Sequence, residues 1–227
     1  MTVEYEQHEV ASLLVASDQT QDLAGGFMAV RRLHLTNRRA DGTQSAPYVC
    51  DFVVRPKGID AVVVVLWHRD RGGRVHVLLR QGLRPALAHG RRDANLPIAD
   101  TREYLFFTEV VAGIIEHDDV GELGVRRRAA AESLEEAGYT VAPDAIEFLG
   151  AGTFPSPGSM PEKYWLVSAE VVDRTAQVSL SGDGSPMEEG ATTRWAPLEE
   201  TIQACVAGTI EDAKSELALR RLRDALG

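Results

Sequence analysis

Glu132, Glu135 and Glu136 stand at i, i+3 and i+4 in a stretch whose periodicity predicts a helix from Glu122 to Ala137, stopped by Gly138. That spacing puts three carboxylates on one helix face. Leu123, Ala130, Leu134 and Ala137 fall roughly opposite and are expected to pack down. Crowded carboxylates repel one another and destabilise a fold unless something positive lies among them. Many such runs are simply solvated helix faces. The chemical alternative is a hard divalent cation held through carboxylate oxygens, magnesium or manganese, working on a phosphate.

The elements that must carry this helix can be read along the chain. Residues 1 to about 26 show no firm pattern. From Phe27 the sequence alternates (FMAVRRLHLT), breaks at NRRADGTQS and resumes as PYVCDFVV, which predicts a β-hairpin. AVVVVLW (61–67) and VHVLLR (75–80), joined by HRDRGG, predict a second and more deeply buried hairpin. The segment 84–108 is irregular and rich in Pro, Arg and Asp; structureless stretches of that length are usually functional. A short strand, LFFTEVVAG, leads into the glutamate helix. EFLGAGTF and KYWLVSAEVV follow as strands around the loop PSPGSMPE, then a polar loop, a short strand RWAP and two closing helices, LEETIQACVAG and IEDAKSELALRRLRDAL. Strands predominate with helices between and after them, an α+β pattern.

Bulk properties narrow the chemistry. The chain has 227 residues, 44% of them hydrophobic and 26% charged, enough for one good core. A formal charge of −10 argues against nucleic acid as a partner, because that binding leans on neutralising phosphates. No apolar run approaches the roughly 20 residues of a membrane helix, and the acidic N-terminus lacks the basic-then-apolar order of a secretory signal. Cys50 and Cys205 form neither a disulfide framework nor a zinc pair, so the expected setting is the cytoplasm. An acidic protein that handles phosphates needs metal ions or a few placed arginines.

The stretch Val110 to Val141 resembles the Nudix box, whose ending runs Arg-Glu-apolar-any-Glu-Glu-any-Gly-apolar. Here it reads Ala131-Glu132-Ser133-Leu134-Glu135-Glu136-Ala137-Gly138-Tyr139, opening at Gly113, with Glu122 as the box's first glutamate. Ala131 replaces the arginine and Ser133 the apolar residue. Twenty-five positions separate Gly113 from Gly138, four more than in the family pattern. Arg128, one turn before Glu132, is expected to take over the bracing of a glutamate. From about Phe27 onward the chain is similar to the ADP-ribose pyrophosphatase and sugar-nucleotide branch of that family. The similarity rests on the order of VVRP (53–56), LLRQGLRPAL (78–87), VVAGIIE, the box, FPSPGSMPEKYWL (154–166) and MEEG (187–190).

The resemblance implies a Nudix fold, a mixed sheet packed between helices with a small N-terminal β region. It implies a dimerising hairpin region over 1–57 and a catalytic domain over 58–227, in a homodimer whose sites are built partly from both chains. Two or more magnesium ions per site would be held by the Ala112 carbonyl, Glu132, Glu135 and Glu136. Arg84 matches the arginine of the family's QFRP segment, one residue longer here through Gly82-Leu83, and would hold pyrophosphate oxygens; Arg55 would touch substrate or form a structural ion pair. Gly158, Ser159 and Glu162 align with the part that accommodates the terminal ribose. Glu189, with Glu188 beside it, matches the loop base. Trp165 and Trp195 read as core residues. The implied reaction is hydrolysis of a nucleoside diphosphate sugar, ADP-ribose first, to AMP and ribose 5-phosphate. The alternatives are a UDP-sugar pyrophosphatase and a sensor that binds ADP-ribose without cutting it.

Overall fold

In a computed structural model of the chain the described residues are 10–18, 27–91, 96–102, 104–182 and 184–227. They divide into two compact units, one drawn from Met1–Ile59 with Ser156–Glu162 and the other from Asp60–Pro155 with Lys163–Gly227.

The first unit is a three-stranded antiparallel sheet in the order β1 (Val10–Asp18), β2 (Ala29–Arg39), β3 (Tyr48–Val54). The predicted hairpin is β2 and β3. β2 runs through Asn37–Arg39, past the predicted break, because Tyr48 donates to the Asn37 side chain at 2.8 Å and Arg39 N–H to the Thr43 carbonyl at 2.8 Å. The turn closes at Gly42, φ 86°. β1 lies where the sequence shows no pattern. Its register with β2 shifts twice, between Val10 and Ser12 and between Val15 and Ser17, and such irregularities erase a two-residue alternation. Ser156–Glu162 joins this unit through the Val53 N–H, which donates to the Ser159 carbonyl at 2.8 Å.

The second unit is a seven-stranded mixed sheet. Its path runs β10 (Thr192–Pro197), β5 (Val75–Leu83), β4 (Ala61–Arg69), β9 (Tyr164–Glu170), β8 (Glu147–Phe148), with β6 (Phe106–Glu109) on β5 and β7 (Val111–Ile114) on β4. β4 pairs antiparallel with β5 and β7 and parallel with β9. Its run Val62–Leu66 is fully buried because both faces are covered. Successive side chains alternate between them. Val62, Val64 and Leu66 face the core that includes Val125 and Ala129 of α2 (Gly121–Glu135). Val63 and Val65 face the core of α3 (Leu198–Val206) and α4 (Ala213–Leu226), with Ile202, Leu219 and Leu222. Trp165 and Trp195 pack against the α2 side, as expected.

The single strand expected over LFFTEVVAG is two strands. β6 leaves β5 and β7 joins β4, with Val110 between them donating its N–H to the Ser215 hydroxyl at 2.8 Å. The irregular 84–108 segment begins with a short helix, α1 (Pro85–Gly90), opened by proline at its first turn. Of EFLGAGTF only Glu147–Phe148 is strand, followed by an isolated bridge from Thr153 to Tyr164. Among the described residues no helix is long and apolar enough to cross a membrane.

Candidate active site

The glutamate helix is seated differently from its sequence reading. Its buried face is Gly124, Val125, Ala129 and Ser133; of the four residues expected to pack down, Ala130 and Ala137 meet the core, whereas Leu123 and Leu134 are exposed. Small residues let the helix lie close to the sheet, and that closeness decides which face goes down. Gly124 abuts the backbone of Asp119 so tightly that a side chain would overlap it. Ser133, in an apolar position of the box, is fully buried; its hydroxyl donates to the Ala129 carbonyl at 2.6 Å, so the site stays satisfied. Regular helix ends at Glu135, two residues short of the expected Ala137. Gly138, φ 71°, then closes it by donating to the Leu134 carbonyl at 2.9 Å, while Tyr139 N–H reaches Ser133 at 3.0 Å, a left-handed glycine stop.

This seating half-buries the carboxylates. Glu132 lies against Gly113 of β7, where any Cβ would overlap its carboxylate. Glu136 accepts from the Ala112 N–H at 3.2 Å. Burial, then the charges of Glu136 and Glu135, push the Glu132 pKa up to about 8. Burial pushes Glu136 up to about 6, against the opposing pull of Arg80. Arg128 stands 4.0 Å from Glu132, 3.4 Å from Glu116 and 2.8 Å from Asp119, so it anchors chiefly to the loop before the helix and reaches Glu132 only at ion-pair range.

A cavity of about 450 Å³ opens beside the end of the helix, lined among others by Arg80, Glu135, Glu136, Gly182, Glu188 and Glu189. Glu188 ends the turn Pro186–Glu188 and Glu189 follows it; the N-cap Ser185 accepts from the Met187 N–H at 3.2 Å. The Gly182 N–H donates to the Glu135 carbonyl at 3.1 Å, joining the loop to the helix end. Glu132 and Arg84 are not among the lining residues. Arg84 pairs with Glu109, which is buried and also takes Lys214 at 2.5 Å; Lys214 in turn reaches Asp212 at 2.7 Å.

Of the remaining sequence candidates, Arg55 and Glu162 pair with each other inside the first unit, and Arg55 also donates to the carbonyls of Gly58 and Ile59 at 3.2 and 3.0 Å. Ser159 shares a 2.7 Å hydroxyl contact with Ser156, and Gly158 is exposed with open space about it. Arg80, Glu109 and Lys214 are absent from the sequence reading. The available signal was a charge at the end of an otherwise largely apolar run, VHVLLR for Arg80 and FFTE for Glu109; where such a charge is buried it must be paired.

Among the described residues no three His, Cys, Asp or Glu side chains gather closely enough to hold a metal ion. The donors nonetheless suit a hard divalent cation in kind. They are all oxygens, two are half-buried carboxylates whose pKa values burial raises, and the β7 carbonyl of Ala112 belongs to the residue whose N–H already meets Glu136.

No family model matches this sequence, and no curated relative does. Among solved structures the chain is similar to an ADP compounds hydrolase, with a TM-score of 0.66 at 18% identity over 97% of each chain. It also aligns, more loosely, with a Nudix hydrolase from Alicyclobacillus acidocaldarius (TM-score 0.45, 12% identity, 72% of this chain and 90% of that one). A third alignment is with the Nudix hydrolase RenU from M. smegmatis (0.40, 15%, 82% and 92%). With its mixed sheet between helices, its glutamate helix laid on β4 and β7, and its small antiparallel N-terminal sheet, the chain shares the fold of that ADP compounds hydrolase.

Proposed function

We propose that the chain is a hydrolase that cuts the pyrophosphate of a nucleoside diphosphate sugar, with ADP-ribose giving AMP and ribose 5-phosphate. The observation that carries this reading is the pairing of Glu132 and Glu136, two half-buried carboxylates on a helix end set against Gly113 and Ala112 and open to a cavity at Glu135 and Glu136. Such a pair is electrostatically costly by itself, and a bound divalent cation relieves the cost. The likeness to an ADP compounds hydrolase over nearly the whole of both chains supports an ADP-linked substrate.

The Ala112 carbonyl, Glu132, Glu135 and Glu136 would hold magnesium, or manganese in its place, with two or more ions per site. Such ions, when bound, acidify a water and neutralise charge on the departing phosphate. One glutamate of the loop after Pro186 accepts the proton of that water, which requires hydrogen-bond reach once substrate is in place. Arg84 shares its planar guanidinium between Glu109 and the pyrophosphate oxygens. We place the reaction in the cytoplasm and in a homodimer.

The test is product analysis with magnesium across ADP-ribose, UDP-glucose, GDP-mannose, NADH and diadenosine polyphosphates. Release of AMP from ADP-ribose, fastest of the panel, is the expected result. Faster cleavage of UDP-glucose would move the assignment to UDP-sugars, and tight ADP-ribose binding without cleavage would make the chain a sensor.

A further inference from the structure

Arg80 lies at the meeting point of β5, the glutamate helix and the loop that carries Glu188 and Glu189. It is 3% exposed, and its Nη2 stands 3.5 Å from Glu136 and 3.3 Å from Glu188. Its Nε is buried with no hydrogen-bond partner. These distances describe a guanidinium shared between two carboxylates as a charge rather than locked in a two-pronged pair.

Two glycines make this arrangement possible. At Gly82 a Cβ would overlap Arg80 Nη1, so the residue that lengthens the arginine motif gives the buried guanidinium its room. At Gly182, φ 56°, a Cβ would overlap the Glu188 carboxylate. Glu189, one residue on, is exposed, and its N–H is used up inside the turn by the Pro186 carbonyl at 3.2 Å.

We propose that Arg80 is a positioning residue that ties the loop carboxylate Glu188 to the helix carboxylate Glu136, and that Glu188 rather than Glu189 is therefore the loop glutamate serving the reaction. This assignment rests on the proposed hydrolysis for its catalytic half; the tie itself does not. Arg80 does three things here. It offsets the mutual repulsion of Glu136 and Glu188, fixes how near the loop comes to the helix, and keeps a positive charge next to the place where a diphosphate would sit.

Hydrogen–deuterium exchange of the full-length protein without divalent ions, followed over residues 184–191, tests the tie. Arg80→Met and Glu188→Gln should each speed exchange there at least tenfold, Arg80→Lys should restore much of the protection, and Glu189→Gln should leave it unchanged. The Arg80→Met/Glu188→Gln double variant should exchange no faster than either single one. Should Arg80→Met fail to fold, Gly82→Ala displaces the same guanidinium and should loosen the same residues. Unchanged exchange in the arginine and glycine variants would overturn the tie.

With magnesium and ADP-ribose, Glu188→Gln should lower kcat about 100-fold with KM within threefold, and Glu189→Gln should cost less than threefold. The reverse order would overturn the choice of Glu188. A wild-type protein that cleaves nothing would sink the hydrolase reading, while the exchange pattern would still decide the tie.

Discussion

Two glutamates of the second unit, Glu109 on the sheet and Glu132 on the helix laid against it, have opposite surroundings. Glu109, at the end of β6, is 2% exposed and sits between Arg84 and Lys214. Glu132, facing β7 three residues beyond Val110, has other glutamates as its charged company and Arg128 only at 4.0 Å. Burial works against the charge of Lys214, yet Glu109 and Asp212 hold its pKa above the ordinary value, which marks a self-sufficient ion network. Glu132 is instead driven up to about 8. A buried carboxylate with protein cations around it is part of the scaffold, whereas one left among its own kind is suited to a cation from solution.

The contrast can be broken experimentally at either end. The largest effect is expected at the helix: Glu136→Gln should reduce AMP release from ADP-ribose about 1,000-fold, at the upper end of what removing one charge-stabilising group costs. Equal turnover by variant and wild type would refute the metal assignment. At the other end, Lys214→Met leaves Glu109 short of a partner and should destabilise the fold by about 3 kcal/mol in chemical denaturation. Adding Glu109→Gln should recover most of that loss; if the double variant is no better, the network does not balance itself as described.

Arg128→Ala should weaken magnesium binding about tenfold by calorimetry, as loss of a supporting partner does. An unchanged affinity would mean that its bonds to Asp119 and Glu116 are its whole role. The smallest effect is in pH dependence. Because the folded pKa of Glu132 lies above its ordinary value of 4.5, the group favours folding at low pH, and this contribution is lost as pH rises through about 8. The metal-free protein should therefore gain a few degrees in Tm when taken from pH 8.5 to pH 6.5, a gain that Glu132→Gln should reduce. An identical pH profile in the variant would show that Glu132 is not the group responsible.

The glutamate helix was legible because its signal is local. Carboxylates at i, i+3 and i+4 and a stopping glycine are properties of one segment; Glu132 and Glu136 reappear against β7, Glu135 at the cavity, and Gly138 at the helix stop. Which face of that helix turns inward was legible only in part: Ala130 and Ala137 pack down as read, but Leu123 and Leu134 stay exposed while the smaller Gly124, Ala129 and Ser133 are buried. The hairpin of the first unit was readable from alternation and that of the second from its apolar runs, while β1 was hidden by its two register shifts. Arg80 was overlooked because its meaning is non-local: its partners come from positions 136 and 188, and no spacing within β5 announces them. The departures at Ala131 and Ser133 read as weaknesses in the motif. The buried Ser133–Ala129 hydrogen bond accounts for the second, and the structure leaves Ala131 as a half-buried residue with Arg128 one turn away.

The handover at Val110 has a consequence for how this chain tolerates changes in length. The backbone leaves one strand partner and takes another within a single residue, with Glu109 directed to the α4 network and Ala112 to the glutamate helix. Adding or deleting one residue between these two positions would exchange inward and outward directions for everything downstream on β7. Homologues and engineered variants should accordingly differ hardly at all in the number of residues between Glu109 and Gly113.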